Sequence, residues 1–395
     1  MGKNMITYEQ AVEIVKAQSV LLGTENVDLH ASLNRVLRQA VASDMDMPPF
    51  DKSAMDGYAC RTEDAKGVLE VIEIIPAGYQ PQQAIQSNQC AKIMTGAILP
   101  QGADCVIPVE DVEVLAETKI RFRGARIAPN ICRRGEDVVA GQSLVPAGTR
   151  ITAKEIAALA LAGCAYPLVS RKPSIGIIAT GDEIVEPQVM PQRAQIRDSN
   201  SYQLHAQCLQ FGCRPFHLGI VRDTAEAIGG VVARAGREHD LVLLTGGVSM
   251  GDFDLVPSLL KEAGYSILFE KVAIQPGKPT VFGRRKDRFV FGLPGNPVSS
   301  FTVFEILVKE LLSGLMGLQQ RTPTAKLRLA KGFTRRVAER RAWIPVKITP
   351  AGFAEPVEYH GSAHITSLVS ADGLITIPAG EKEIPEGAPV DVRLI

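Results

Sequence analysis

The sequence predicts a multidomain chain of class α/β plus β. Its parts are a central doubly wound α/β domain, a β-rich second domain, a helical and β region beside it, and a small C-terminal β-barrel. Three observations lead there. At 395 residues, with 46% hydrophobic and 22% charged residues, the chain is too long for one core and apolar enough for several. From Arg171 to about residue 319, apolar strands alternate with amphipathic helices, the pattern of a mostly parallel sheet covered on both faces. On either side of that stretch, short β runs lie between proline and glycine turns.

The elements follow in order. Thr7-Tyr-Glu-Gln10 has a capping-box pattern and leads a helix with Ala11, Ile14 and Val15 on one face. Residues 47–138 hold the β runs that begin at Val71, Ala91, Cys105 and Lys119, and read as a β-rich insertion. It interrupts a discontinuous first region, 1–46 and 139–171, where Thr152 to Glu155 starts a second helix closed by Gly163. The α/β domain, 172–319, begins with the buried strand Ser174-IGIIAT, with further strands near 214–220, 240–245, 271–274 and 288–292. Its helices are expected over 200–211, 224–235, 253–263 and 298–312. After residue 320 the runs beginning at Ala325, Trp343, Gly373 and Pro389 alternate as in a small barrel.

Composition excludes several functions. Forty-three basic residues balance forty-three acidic ones, so no global field recruits nucleic acid or an anionic membrane. No apolar run approaches the ~20 residues of a membrane span, and the N-terminus lacks the apolar core of a signal peptide. The seven cysteines form no CxxC pair and no zinc-type spacing. Free thiols in a reducing cytoplasm are the simplest account, and the chain is expected to be cytoplasmic.

The loops after the α/β strands are the chemically informative part. In a doubly wound sheet the strand carboxyl ends share one edge, so these loops should meet in one crevice. Ala179-TGD-Glu183 contributes Thr180, Asp182 and Glu183, and Arg222-Asp223 follows the second strand. Asp240-LVLLTGGVSMGDF-Asp254 contributes Gly246, Gly247, Ser249, Asp252 and Asp254. Glycine there lets backbone N–H groups face a ligand, and the carboxylates suit a hard cation such as Mg²⁺. Ile274-QPGK-Pro279 brings Gly277 and Lys278, the lysine on constrained backbone suited to anion contact. Pro294, Gly295 and Asn296 precede a helix start where Ser299 and Ser300 add hydroxyls, a setting that favours an anion. Taken singly, each loop is equally an ordinary turn: Asp252 could cap a helix, and Asp182 and Asp223 could be turn formers. There is neither GxxxxGK[ST] nor GxGxxG, and no HExxH, which excludes a Walker-type kinase, a dinucleotide enzyme and a zincin.

Upstream, Met47-PPFDKSAMDGY-Ala59 holds Asp51 and Asp56; Met94-TGAILPQGA-Asp104 holds Thr95; Arg134-GED-Val138 holds Asp137. Alone, these are β-domain turns.

In this order, FDKSAMDGYA, MTGAILPQGAD, RRGEDV, ATGDE, TGGVSMGDFD, IQPGKP and GLPGNPVSSF make the chain resemble the molybdenum-insertase family of bacterial MoeA and the gephyrin E-domain. The likeness is strongest from about residue 46 to 318 and weakest in the barrel. It implies a molybdopterin-binding α/β domain, a dimerisation region, and a homodimer with the active site between subunits, reached in trans by Asp56, Thr95 and Asp137. The implied reaction is Mg²⁺-dependent insertion of molybdate into adenylylated molybdopterin with release of AMP, downstream of a molybdopterin-adenylating protein. Glu183, Asp223 and Asp254 are then the implied metal ligands. Asp56, Asp137, Asp182, Lys271 and Lys278 would carry catalytic roles. Thr95, Thr180, Gly246, Gly247, Ser249, Gly277, Pro294, Gly295, Asn296, Ser299 and the barrel's Ser362 would hold the pterin and its phosphates. Two departures remove positive charge. Gln275 stands where many members have a base before PGKP, and Pro345 stands where an arginine is common. The alternatives are a tungstate-preferring paralogue and a non-catalytic molybdopterin carrier or scaffold.

Overall fold

The computed structural model describes residues 5–247, 256–319, 322–358 and 361–395. The chain divides into two compact units. One comprises Met1–Gln39, Ala147–Thr152 and Pro167–Ile395, the other Ala40–Pro146 and Ala153–Tyr166.

The larger unit is built on a seven-stranded sheet. Its order is Met5–Ile6, Ser266–Val272, Pro279–Arg285, Arg288–Leu293, Leu241–Thr245, Ser174–Thr180 and Arg214–Val221. The last four run parallel, with Gly176 opposite Val242 and Leu243 opposite Phe291. Every residue of Leu241–Thr245 is buried, because helices cover both faces and leave no side that polar residues could use. Ile175, Ile177, Leu241, Leu243, Phe289 and Phe291 pack on one face with Leu204, Cys208 and the Phe304–Leu315 stretch. Ile178, Val242, Leu244 and Val290 pack on the other with Ile228, Val232, Val256 and Leu260. Each such side chain contributes about 1.5–3 kcal/mol on burial.

The expected helices form as Asn200–Gln210, Ala225–Glu238 and Val256–Glu262, although the start expected at Phe253 lies outside the described residues. The last long helix begins at Pro297, passes through a π-helical stretch at Phe304–Val308 and ends at Met316, closed by Gly317 at φ +70°. The first helix, Tyr8–Gln18, has both bonds of its capping box between Thr7 and Gln10.

One strand expectation needs correction, and one strand was not expected. The strand placed near 271–274 is Ser266–Val272, and Ile274–Gln275 leaves this sheet to pair with Arg341–Ala342 of the barrel. Pro279–Arg285, not expected from the sequence, forms an antiparallel hairpin with Arg288–Leu293. Its two-residue turn is Lys286–Asp287, with Lys286 at φ +56°. Hairpins of this length usually carry glycine there, so the charged run Arg284-Arg-Lys-Asp287 gave no turn signal.

The barrel is a closed ring. Arg341–Ile348 pairs with Phe353–Pro356, which pairs with Thr324–Leu329, then Pro389–Leu394, then Gly373–Ile377, and back to Arg341–Ile348. Closure leaves no free edge in the ring, and Val346, Ala354, Ile375, Ile377 and Val392 fill it.

The smaller unit holds a six-stranded sheet ordered Cys105–Pro108, Gly57–Cys60, Gln89–Ile93, Val68–Ile75, Lys119–Phe122 and Val112–Ala116. A Cβ on Gly57 would lie 2.1 Å from the Ile107 carbonyl oxygen, so only glycine lets the first two strands approach this closely. The unit also contains the helix Ala153–Leu161. All seven cysteines are free, and five of them (60, 90, 105, 208 and 213) are buried. Among the described residues no helix is long and apolar enough to cross a membrane.

Candidate functional site

At the carboxyl edge of the parallel strands lies a cavity of about 280 Å³. Thr180 and Thr245 end neighbouring strands and line its floor, with Gly246 beside them. Thr180 is buried and its hydroxyl donates to the Thr245 carbonyl over 3.5 Å. Gly246 sits at φ +96°, and a Cβ there would come within 2.3 Å of the Thr180 carbonyl oxygen. Backbone conformation and space therefore both demand glycine. A Cβ on Gly247, at φ +64°, would meet Thr180 Oγ1 at 3.2 Å and Asp223 Oδ1 at 3.7 Å. Pro294, Gly295 and Asn296 form the facing wall, and Pro279, from the PGKP turn, closes one side.

Glu183 lines the cavity, with Asp182 exposed beside it. The carboxyl of Asp223 is held above its ordinary value. Loss of water around it is the largest cause, followed by the charges of Glu183 and Asp182, while a hydrogen bond from Thr180 opposes them; Asp223 itself does not line the cavity. The side chain keeps some solvent contact, which screens but does not remove the repulsion. Three carboxylates thus repel one another beside the cavity, and a cation there would relieve the repulsion. Among the described residues, no group of three acidic, histidine or cysteine side chains stands close enough to enclose a metal ion. Ser249, Asp252 and Asp254 lie outside the described residues.

The other expected residues fall at definite places. The side chain of Asn296 makes no cap bond to the helix that begins at Pro297. It donates instead to Ser362 Oγ at 2.8 Å, and the Val298 amide donates to the Ser362 carbonyl at 3.0 Å. The barrel serine is thereby tied to the 294–296 turn. Ser299 is buried in the first turn of that helix. Gly277, at φ +109°, is wedged against Val303, where a Cβ would lie 2.6 Å from Cγ2. The Lys278 carbonyl accepts from Val272, and Lys271 lies opposite Pro279 across the sheet. Both lysines are half-buried and neither lines the cavity.

In the smaller unit, Asp56 accepts from the Thr95 amide at 2.7 Å and from its hydroxyl at 2.8 Å. Those two bonds, amide first, hold its carboxyl below the usual range. Asp51 is lowered likewise by the Arg134 amide and the Arg133 guanidinium. Asp137 is exposed, its amide donating to the Met47 carbonyl at 3.0 Å.

Sequence reasoning missed three residues. Asn200, at the start of its helix, donates to Thr245 Oγ1 at 2.7 Å and to the Gly295 carbonyl at 2.8 Å, bridging two walls of the cavity. Its own Oδ1 is buried without a partner. Asp198 lines the cavity and accepts from the Ser201 amide at 3.0 Å. Ser201 Oγ also bonds Asp198 and lies 2.7 Å from His217 Nε2. The polar run Arg197-Asp-Ser-Asn200 directly before a helix was the available signal. Arg340 donates to the Ile274 carbonyl at 3.2 Å, one residue before Gln275, and places positive charge beside that turn. Pro345 is buried within a barrel strand and offers nothing to the cavity.

A doubly wound domain with an acid-rimmed crevice at its strand ends, a β-rich unit before it and a closed small barrel after it define this class of multidomain protein. Residues 6–163 match the MoeA N-terminal region (domain I and II), 176–314 the "Probable molybdopterin binding domain", and 326–395 the MoeA C-terminal region (domain IV). The molybdopterin molybdenumtransferase of Staphylococcus epidermidis is 34% identical over 405 residues, spanning 98% of this chain and 95% of the relative. That of Bacillus subtilis is 34% identical, spanning 94% of this chain and 90% of the relative. The crystal structure of the molybdopterin biosynthesis moeA protein of Pyrococcus horikoshii OT3 superposes with a TM-score of 0.86 at 29% identity, covering 99% of this chain and 100% of that one. The chain belongs to the molybdopterin molybdenumtransferase family, a family of transferases in molybdenum cofactor biosynthesis.

Proposed function

We propose that this protein inserts molybdate into adenylylated molybdopterin and releases AMP in a Mg²⁺-dependent reaction. The observation that carries this reading is the carboxylate rim over a glycine floor, in a chain of this family. Gly246 and Gly247 leave backbone open to a phosphate. Asn296, steadied by Ser362, together with Lys278 and Ser299, would fix its position, and Thr95 and Ser249 would contact the rest of the substrate. Glu183, Asp223 and Asp254 would hold the metal, and Asp182 adds to the local field. Magnesium, when bound, supplies positive charge that offsets the charge of a pyrophosphate. Lys271 and Arg340 would draw the tetrahedral oxyanion towards the PGKP turn.

The protein acts in this proposal as a cytoplasmic homodimer that receives its substrate from a molybdopterin-adenylating protein. Asp56, Thr95 and Asp137 of one subunit complete the site of the other, with Asp56 orienting the Thr95 loop and not ligating metal. Its carboxylate oxygen already accepts two bonds, which supports that role.

The test is AMP release by purified protein given adenylylated molybdopterin, Mg²⁺ and molybdate. Release should depend on molybdate and fall by about 10²-fold or more in Asp223→Ala. Tight pterin binding without release under molybdate or tungstate would make the protein a carrier, and release with tungstate alone would assign the other oxyanion.

A further inference from the structure

Three cysteines stand in one row across the sheet of the smaller unit. Cys60 is directly opposite Cys90 on one neighbouring strand and directly opposite Cys105 on the other. All three belong to one apolar cluster with Leu69, Ile107 and Ile120. The Sγ atoms of Cys60 and Cys105 are 3.5 Å apart, and Cys105 Sγ also lies 3.6 Å from the Cys60 carbonyl oxygen. Gly57 underlies this closeness, because any side chain there would push the Cys105–Pro108 strand away.

We propose that Cys60 and Cys105 form a thiol pair that closes to a cross-strand disulfide when the protein meets a small-molecule disulfide oxidant. Directly opposed positions on antiparallel strands fall within the Cα spacing of a disulfide, and their Cβ atoms, about 4.5–5.5 Å apart, need only a modest approach to reach its range. Only a small approach of the two sulfurs is left. A soft metal ion is the competing occupant of three thiols. Bound thiolates would leave net negative charge inside an apolar cluster, whereas a disulfide is neutral, and charge buried without a partner is strongly disfavoured.

The chemistry balances. The Cys105 thiolate attacks one sulfur of the oxidant and displaces one small thiol, giving a mixed disulfide. The Cys60 thiol loses its proton to solvent, attacks the Cys105 sulfur and displaces the second small thiol. Two protein S–H groups become one S–S bond, and the oxidant is reduced to two thiols. Cys105 is the fitting first nucleophile, since hydrogen bonding from Cys60 holds its thiol below the usual range. Cys90 faces Cys60 but not Cys105, and the close sulfur pair is Cys60–Cys105, so geometry sets the pairing. Both thiols are buried, so the oxidant reaches Cys105 through local opening of its strand, the outermost of the sheet. On its free side, bonds of Val106 to Pro129 and Asn130 hold that strand.

The bond would have a reach beyond the two strands. Asp56 precedes the Gly57–Cys60 strand, and the Val109 amide, just after the partner strand, donates to the Asp56 carbonyl at 3.2 Å. A disulfide at 60 and 105 therefore stiffens the ribbon that carries Asp56.

The test treats the folded full-length protein with glutathione disulfide, quenches in acid, alkylates after unfolding and maps peptides. The expected result is a Cys60–Cys105 linked peptide with the other five thiols alkylated, and a raised unfolding temperature that reductant reverses. Cys90→Ala should keep the linkage and Cys105→Ala should lose it. Alkylation of Cys60 and Cys105 after native oxidation overturns the proposal, as do linkages formed only through the more exposed Cys132 or Cys164. Stoichiometric copper(I) uptake that protects all three thiols, with no disulfide, overturns it as well. Mapping of the unmutated protein decides the matter even where a variant fails to fold.

Discussion

If the proposed metal role holds, Asp223 is the residue at which stability and activity pull apart. Its carboxyl is raised above the ordinary 3.8 by loss of water and by Glu183 and Asp182. A carboxyl raised in the folded state binds more protons there than in the unfolded chain. The unfavourable contribution is therefore absent below pH 3.8 and fully present above the folded value. At neutral pH, Asp223→Asn should stabilise the metal-free protein, seen as a higher melting temperature, while abolishing the stabilisation that added Mg²⁺ gives the wild type. A lower melting temperature in the variant would mean that Asp223 makes a structural contact outweighing the repulsion. Asp56 has the opposite sign. Its lowered carboxyl contributes stability above 3.8 that is lost as pH falls through its folded value. Asp56→Ala should leave the global fold intact and speed hydrogen exchange at the Thr95 amide, which loses its 2.7 Å acceptor.

At the scale of elements, the strand ends determine the cavity. Gly246→Ala would set a Cβ against the Thr180 carbonyl at a φ of +96°. It should cost about 2–4 kcal/mol by denaturant unfolding and weaken ligand binding as the two strand ends move apart. The opposite ends of the same strands are held by charge. Asp240 is buried and accepts from Arg171 at 2.7 and 2.8 Å, from Arg288 at 2.7 Å and from the Ser174 amide at 2.9 Å. Burial raises its carboxyl, but these partners outweigh burial and the net shift is downward. Asp240→Asn should cost about 2 kcal/mol, less than breaking a fully buried pair, because both arginines keep solvent contact. The loss should be greatest above pH 3.8 and shrink as acid protonates the wild type.

These same elements explain what could be read from sequence. Leu241–Leu244 and Ile175–Ala179 are apolar at every position because both faces are covered, and that pattern survives in one dimension. The loops at Thr180–Glu183 and Gly246–Gly247 were legible because each follows such a strand. The hairpin Pro279–Arg285 was not, since its turn is Lys286–Asp287 and the antiparallel pairing is tertiary. Asn200 and Arg340 were hidden for a related reason. Their partners, Gly295 and Ile274, are backbone carbonyls distant in sequence, and a carbonyl leaves no residue-type signature.

For the whole molecule, the decisive question is whether one chain supplies a complete site. The proposed dimer takes Asp56 from one subunit and Asp223 from the other, so each single variant should be inactive by itself. Mixing the Asp56→Ala and Asp223→Ala proteins under conditions of subunit exchange yields heterodimers in which one site has both replacements and the other has neither. With free exchange, half the dimers are mixed, and total AMP release should recover to about a quarter of wild type. The recovery should need exchange, appearing slowly after mixing and not at all when dimers are cross-linked beforehand. A mixture as silent as its components, although native mass spectrometry detects heterodimers, would mean that both carboxylates serve the same chain's site. Recovery, in contrast, would tie the Thr95 loop of one subunit to the strand-end crevice of its partner. The stiffness that a Cys60–Cys105 bond confers on Asp56 would then be felt at the neighbouring subunit's substrate.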